Sequence, residues 1–273
     1  MQDLDEIARK LAGNLSPDQV RERWEARENG AMFAASEIGE AERAYWQEVF
    51  KERGPTNGLF VTRSTRQEMD YETARRKVWA LMQLRAAHIS DLQNAPFEWE
   101  MTPDFAAAVR ALTKYFINDP TAEYDGKPLP LAKGLFVYGA VGTGKTELML
   151  IFERFVRENK LTKAFHFSSL SKTYTDAKAN ADFDPIAPNV CFDRCFDEFG
   201  RYVGPVKRYG DDLDINEAIL EQRYDRFKRY GQITHLISNM DTNEAKDKFS
   251  PMLFDRVRSM CTGIYFKGES KRK

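Results

Sequence analysis

The sequence predicts an α/β fold in which a parallel sheet is flanked by helices and preceded by a mainly helical N-terminal region. A glycine-rich loop stands between an apolar strand and an apolar-rich helix, and the segments that follow alternate between strand and helix patterns. Before residue 100, apolar residues instead recur at helical spacing. We therefore divide the chain into residues 1–99 and residues 100–273.

The first region contains a long helix predicted around residues 71–92, with Val78, Leu81 and Met82 on one stripe. Residues 1–99 contain no phosphate loop, metal-ligand spacing or nucleophile motif. We interpret this region as a helical segment that docks a partner protein.

The second region begins with a helix whose start is indicated by Thr102-Pro103-Asp104. Strands and helices then alternate, which favours crossover connections and places ligands beyond the carboxyl ends of the strands. The predicted strands are residues 164–168, 195–196, 233–238 and 263–266, and the predicted helices are residues 170–179, residues 215–230 and short helices up to Met260.

The glycine-rich loop has the pattern of a phosphate-binding P-loop. Glycines let the backbone fold around an anion, and backbone N–H groups at the helix N-terminus then face the phosphates. Lys145 can reach the β- and γ-phosphates and Thr146 can hold Mg²⁺, so the pattern predicts ATP and Mg²⁺ as ligands. The loop residues are Gly139, Ala140, Val141, Gly142, Thr143, Gly144, Lys145 and Thr146.

Hydrolysis of ATP also needs an acid that positions the metal and a group that activates water. Asp197 and Glu198 end a short predicted strand, which suits Asp197 as a Mg²⁺ ligand and Glu198 as general base. The residues before this pair are less apolar than is usual, and Asp193 competes for the role of the acid.

Asn239 ends the next predicted strand, where its amide can orient the attacking water near the γ-phosphate. An asparagine at this place is otherwise a common turn former. Arg272, in the C-terminal tail, is a candidate for contacting the phosphates within the same subunit.

Arg256 lies in a predicted helix 17 residues after Asn239 (256 − 239). We expect such an arginine to reach the γ-phosphate of a neighbouring subunit and to stabilise the charge of the transition state. The alternatives are a surface ion pair within its own subunit, the neighbouring Arg258, or no trans-acting arginine at all.

Composition excludes several classes of protein. Hydrophobic residues form 42% of the chain and charged residues 30%, a balance typical of globular proteins, and no apolar stretch has the length of a membrane span. A net charge of −1 gives no overall basic field for nucleic acid. The N-terminus does not have the pattern of a signal peptide, and three cysteines suggest no disulfide framework, so we expect a cytoplasmic protein.

One loop nevertheless interleaves basic and aromatic residues, as single-strand-binding proteins do. It follows Glu198 and contains Arg201, Tyr202, Lys207 and Arg208. A solvated loop is an equally good interpretation, so single-stranded DNA is a candidate ligand here. Among the histidines, His235 lies on a predicted core strand and is expected to be buried.

These motifs together resemble the AAA+ ATPases of the bacterial helicase-loader type (DnaC/DnaI) and the related transposition ATPase IstB, including phage and mobile-element versions. The resemblance covers about residues 100–273 and does not clearly extend to the N-terminal region. The matching segments are residues 139–146 (Walker A), 195–198 (Walker B), 219–224, 234–239 (sensor 1), Asp255-Arg256 and 268–272.

The resemblance implies an ATPase that assembles as an ATP-dependent homo-oligomer on single-stranded DNA and on a replicative helicase or transposase. Loaders of this type can carry an arginine where this chain has Met252. A second hypothesis is therefore a binding switch or assembly scaffold with little turnover. A third is an enzyme that transfers phosphate to a small molecule, which lacks a recognisable acceptor site.

Overall fold

The computed structural model describes residues 66–180, 184–201, 204–208, 211–240, 244 and 249–268, which all belong to one unit, Thr62–Lys273. The helices predicted within residues 1–65, and Arg272, lie outside these residues. The elements are α1 (Tyr71–Gln93), α2 (Pro103–Phe116), β1 (Glu123–Tyr124), β2 (Lys127–Pro128), β3 (Gly134–Gly139), α3 (Lys145–Glu158), β4 (His166–Ser169), α4 (Leu170–Ala179), α5 (Ala187–Val190), β5 (Arg194–Asp197), β6 (Val206–Arg208), β7 (Asp211–Leu213), α6 (Ile215–Tyr230), β8 (Thr234–Ser238), α7 (Pro251–Met260) and β9 (Cys261–Phe266).

A five-stranded sheet with the order β4-β5-β8-β3-β9 forms the centre of this unit, and every neighbouring pair in it is parallel. Helices connect the strands, as parallel pairing requires. The predicted fold class, a parallel α/β sheet with flanking helices, is confirmed. The strand β8 is buried along its whole length, as expected for a strand covered on both faces.

Alternate residues of the interior strand β3 contribute to the cores on the two faces of the sheet. Leu135 and Val137 pack with residues of α1, α2 and α3 on one face. Phe136 packs with residues of α6 and α7 on the other face. His235 is buried, as predicted, and its Nδ1 accepts a hydrogen bond from the Leu135 N–H at 3.2 Å.

Side-chain caps begin several helices, and one of them is the predicted start at Thr102-Pro103-Asp104. Thr102 Oγ1 accepts a hydrogen bond from the Phe105 N–H, and Pro103 occupies the first turn of α2. The Asp214 side chain caps α6, and Gly231 ends that helix in the left-handed conformation. These local signals explain why the predicted bounds of α6 agree with the structure.

Two small hairpins were not predicted. The first, β1–β2, turns at Asp125 and Gly126, which both have positive φ angles, and this Asp-Gly dipeptide is a recognised hairpin signal. The second, β6–β7, occupies the loop that we interpreted as a basic segment.

Helix α1 contacts the helix that follows the P-loop, although the sequence assigns it to the N-terminal region. The Arg85 Nε donates to Glu147 Oε2 in the first turn of α3 at 2.6 Å. The division at residues 99 and 100 stays a prediction.

None of the helices within the described residues combines the length and the hydrophobicity needed to cross a membrane.

A buried arginine, Arg223, joins α6 to the edge of the sheet opposite the P-loop. Its side chain donates to Thr234 Oγ1 at 2.7 Å and to the Ile233 carbonyl at 2.6 Å. Burial lowers the pKa of Arg223 to about 9, so the guanidinium still carries its charge at neutral pH. It also donates to the carbonyl oxygens of Asn189, Val190 and Phe192.

We expect Arg223→Met to lower the free energy of unfolding by at least about 3 kcal/mol, since the buried carbonyl oxygens would lose their donor. Arg229→Met, an exposed change on the same helix, should stay within about 0.5 kcal/mol of the parent. Urea denaturation measures both values. Equal effects of the two changes would contradict the role assigned to Arg223.

Candidate nucleotide-binding site

The P-loop connects β3 to α3 at the carboxyl edge of the sheet. Gly142 and Gly144 have φ angles of 81° and 86°, which glycine adopts without steric cost. Gly139 has a φ of 141°, and a Cβ there would lie 2.4 Å from the Phe266 carbonyl oxygen. The strand β9 therefore approaches the start of the loop so closely that only glycine fits.

Lys145 begins α3 with its side chain folded into the loop. The residue is buried, and its Nζ donates to the carbonyl oxygens of Gly139 at 2.9 Å and Ala140 at 2.7 Å. Thr143 Oγ1 lies 3.3 Å from the same nitrogen. The loop thus encloses an ammonium group at the place where the sequence predicts phosphate binding.

Thr146 and Asp197 meet although they are far apart in sequence. The Thr146 hydroxyl donates to Asp197 Oδ1 at 3.3 Å. Burial raises the pKa of the Asp197 carboxyl above its ordinary value, while hydrogen bonds from the Glu198 N–H and Thr146 oppose this rise. A partly buried carboxylate beside a hydroxyl offers the hard oxygen ligands that Mg²⁺ prefers.

Asp193, the competing acid, lies before the opposite end of β5. Its Oδ1 accepts a hydrogen bond from the Ile233 N–H at 2.8 Å. The strand β5 runs from Arg194 to Asp197, so its direction places Asp193 at the amino edge and Asp197 at the edge that carries the P-loop. The structure therefore favours Asp197 as the residue that faces Thr146.

Two side chains that the sequence does not predict as partners of Glu198 bind its carboxylate. Ser169 Oγ lies 3.2 Å from Oε2, and the Arg201 guanidinium forms an ion pair with Oε1. Glu198 also has a φ of 60°, a left-handed conformation that is uncommon for a residue with a side chain. The carboxylate of the predicted general base is thus bound within its own subunit.

Asn239 directly follows β8 and is exposed. Because β8 pairs with both β3 and β5, Asn239 lies at the edge of the sheet between the P-loop and the Asp197-Glu198 turn. In the register of these strands, Ser238 is paired with Tyr138, the residue before Gly139. The three segments predicted to contact the phosphates therefore follow neighbouring strands.

Arg256 lies on α7 and faces α6. It forms an ion pair with Glu221 at 2.9 Å, and its guanidinium carbon lies 5.8 Å from the centre of the Tyr224 ring. Only 15% of the side chain is exposed, and its buried Nη1 has no hydrogen-bond partner among the described residues. Arg258, the alternative, is exposed. The trans-acting role of either arginine stays a prediction.

The basic loop after Glu198 contains a hairpin with charges of both signs. Lys207 on β6 pairs in register with Asp212 on β7. On α4, the Lys172 Nζ donates to Asp176 Oδ2 at 2.7 Å. Tyr202 lies outside the described residues. DNA binding by this loop stays a prediction.

Two aromatic residues that the sequence analysis did not assign to the site also contact the P-loop. A Cβ on Gly144 would lie 3.6 Å from both Trp99 Cζ3 and Phe105 Cε2. No local pattern indicates this proximity, because it depends on how α2 and the segment before it pack beside the start of α3. Ser169, by contrast, is a polar residue at the carboxyl end of a parallel strand, and this position is a general indication of a residue near the ligand.

No protein-family model matches the chain. A curated relative, Lactation elevated protein 1 homolog B from Danio rerio, is 29% identical over an alignment of 177 residues, which covers 53% of this chain and 32% of the relative. The chain thus spans about a third of the length of that relative.

Solved structures with a similar arrangement include two proteins of the loader type named by the sequence resemblance. DnaI superposes with a TM-score of 0.44 and 14% identity over 64% of this chain and 88% of that chain. The DnaC helicase loader gives 0.39 and 13% over 62% and 94%. A putative primosome component from Streptococcus pyogenes serotype M3 gives 0.45 and 17% over 63% and 84%. At these values the likeness concerns the fold alone.

We expect Gly139→Ala to destabilise the protein by about 2 kcal/mol or more, because the new methyl group would overlap the Phe266 carbonyl at a positive φ. Gly268→Ala is the matched control, since Gly268 has a φ of 135°, close to the 141° of Gly139, but has open space around it. Thermal unfolding of both variants separates the steric overlap from the backbone strain. Equal losses would show that the close approach of β9 is unimportant.

Proposed function

We propose that this chain binds ATP with Mg²⁺ in the P-loop and hydrolyses it to ADP and phosphate. The hydrogen bond between Thr146 and Asp197 carries the proposal, because it joins the helix after the P-loop to the acid after β5. A glycine-rich loop alone binds an anion, whereas this pair adds oxygen ligands for a metal at the same point.

The residues present fit a magnesium ion. Mg²⁺ is usually held by one or two protein oxygens together with phosphate oxygens and water, and Thr146 and Asp197 supply such a set. Burial of Asp197 disfavours its bare charge, so a cation beside it would stabilise the carboxylate. When bound, Mg²⁺ would neutralise charge on the phosphate oxygens.

Each remaining residue has a distinct role in the proposal. Lys145 exchanges its contacts with the neutral Gly139 and Ala140 carbonyls for hydrogen bonds to phosphate oxygens, which are stronger because the acceptor is charged as well as the donor. Asn239 orients the attacking water, and Glu198 accepts its proton. Backbone N–H groups at the start of α3 bind the phosphates without a change of charge.

The resemblance to helicase loaders extends the proposal to partners. A cytoplasmic ATPase of this kind would assemble as an ATP-dependent homo-oligomer, with Arg256 completing the site of a neighbouring subunit and Arg272 contacting phosphate. Residues 1–99 would dock a replicative helicase or transposase. Single-stranded DNA would bind the loop after Glu198.

One observation favours a second candidate, an ATP-dependent binding switch or assembly scaffold with little turnover. Glu198 is bound by Ser169 and Arg201, and Arg256 is bound by Glu221, all within the same subunit. The two groups proposed for turnover are therefore engaged elsewhere, whereas Lys145 and Thr146 already line the loop. A switch needs ATP binding alone to stabilise one assembled state.

Hydrolysis of ATP with and without single-stranded DNA tests these two candidates, with Lys145→Ala as the blank. An ATPase should show turnover above that blank. Glu198→Gln should then retain ATP affinity and lose turnover by about 100-fold or more, the usual contribution of a general base.

A switch predicts a different pattern in the same assays. The wild-type protein would show no turnover above Lys145→Ala, and Glu198→Gln would leave ATP-dependent assembly unchanged. Absence of both ATP binding and turnover in the wild-type protein would refute the proposed function. A phosphorylated small-molecule product would instead support a phosphotransferase.

We further expect Asp197→Asn and Asp193→Asn to act on different properties. Asp197→Asn removes the proposed metal ligand, so Mg²⁺ should no longer raise ATP affinity. Asp193→Asn weakens the acceptor for the Ile233 N–H and should lower the melting temperature while the effect of Mg²⁺ persists. Titration of ATP with and without Mg²⁺, together with thermal unfolding, distinguishes them, and the reverse pattern would assign the acid to Asp193.

A further inference from the structure

A cluster of four aromatic rings lies behind the P-loop. We call it the aromatic bracket and define it as Phe97, Trp99, Phe105 and Phe266. The rings of Trp99 and Phe105 are stacked, with centroids 5.7 Å apart and planes 12° apart. Phe97 meets Trp99 edge-on at 5.3 Å, and Phe266 meets Phe105 edge-on at 6.1 Å.

The aromatic bracket contacts both ends of the loop. Trp99 and Phe105 lie in van der Waals distance of the side of Gly144 where a Cβ would stand. At the other end, the backbone of Phe266 lies against Gly139. Because the rings are themselves in contact, the first and last glycines of the P-loop are supported by one packed unit.

Trp99 also joins the aromatic bracket to α1. Its indole Nε1 donates to the Met82 carbonyl at 2.7 Å, and the residue is only 8% exposed. Helix α1 is joined to the start of α3 by the Arg85–Glu147 ion pair as well. Trp99 is thus a buried residue that is hydrogen-bonded to α1 and lies beside the end of the P-loop.

We propose that Trp99 is a positioning residue for the nucleotide, which holds Gly144 and the following Lys145 in the geometry that binds phosphate. This inference rests on the proposed function and deepens it, since it names a determinant of ATP affinity that does not touch ATP. The indole ring restricts the loop, and its hydrogen bond to Met82 fixes the ring.

The physical reason is the cost of ordering glycine. Gly144 lies at a φ of 86° and has no side chain of its own to limit its backbone. A loop that is already held in the binding conformation loses less conformational entropy when the ligand arrives. Removal of the ring should therefore weaken ATP binding more than it slows the chemical step at saturating ATP.

Three variants of the full-length chain test this. Trp99→Leu removes the ring stack, Trp99→Phe keeps an aromatic ring at this place, and Trp79→Leu is the control because Trp79 is a 45% exposed residue of α1. We expect Trp99→Leu to raise the Kd for MgATP about tenfold with kcat changed less than about twofold. Trp99→Phe should recover most of the affinity, and Trp79→Leu should match the parent.

A spectroscopic measurement keeps the test informative if Trp99→Leu does not fold. In a variant in which Trp24, Trp46 and Trp79 are replaced by phenylalanine, Trp99 is the remaining tryptophan of the four. Its emission should change as MgATP binds, with the same Kd as the direct titration. The added change Lys145→Ala should abolish that response.

The outcomes separate the inference from the proposed function. Unchanged ATP affinity in a folded Trp99→Leu, or unchanged Trp99 emission while ATP binds, would overturn the inference and leave the proposed function intact. Equal losses in Trp99→Leu and Trp79→Leu would also overturn it. A wild-type protein that does not bind MgATP would refute the proposed function and the inference together.

Discussion

Parallel pairing of β3 with both β8 and β9 is the constraint on which the candidate site depends. Because all five strands run in the same direction, the segments that follow β3, β5 and β8 reach one edge of the sheet. The pairing requires a very close approach of the backbones. A Cβ on Gly134 would lie 1.7 Å from the Thr234 carbonyl oxygen, and one on Gly139 would lie 2.4 Å from that of Phe266. Glycines at both ends of β3 thus allow its neighbours to reach it.

The opposite side of the fold is held by buried cations. Arg223 donates to carbonyl oxygens near the amino ends of β5 and β8, and Lys163 donates to the Tyr115 carbonyl at 2.7 Å while its Nζ lies 3.5 Å from the Tyr115 ring centre. These cations take the place of backbone N–H donors where chain segments end inside the protein. A buried carbonyl oxygen without a donor would cost folding free energy. These buried cations and the candidate site therefore occupy different edges of one sheet.

The residues proposed for ATP binding and those proposed for turnover differ in their contacts. Lys145 and Thr146 lie in the loop with their partners beside them, and the aromatic bracket supports that loop from behind. Glu198 and Arg256 are each engaged in ion pairs within the subunit. One partner of each pair, Arg201 or Glu221, is exposed to solvent, which weakens the attraction, so a phosphate group or a partner subunit with a stronger charge interaction can replace the pair. The proposal of ATP hydrolysis and the alternative of a switch differ only in whether that exchange occurs.

The sequence by itself determined the features that are local. Eight consecutive residues define the P-loop, and helix caps such as Asp214 and Gly231 set the bounds of α6, because such signals act within one turn of the chain. The Asp125-Gly126 turn signal is local as well, but it did not lead to a predicted β1–β2 hairpin, because strands of two residues show no alternation of polar and apolar side chains.

Only the tertiary structure decided which distant side chains meet. It brought Asp197 to Thr146 and Asp193 to the Ile233 N–H, because strand direction, which composition does not reveal, separates the two ends of β5. It brought Glu221 to Arg256 through the packing of two helices, and Trp99 to Gly144 through the path of the segment between α1 and α2, and no local pattern encodes either position. Contacts between residues far apart in sequence depend on the whole sheet order, and that order is a property of the folded chain rather than of any segment.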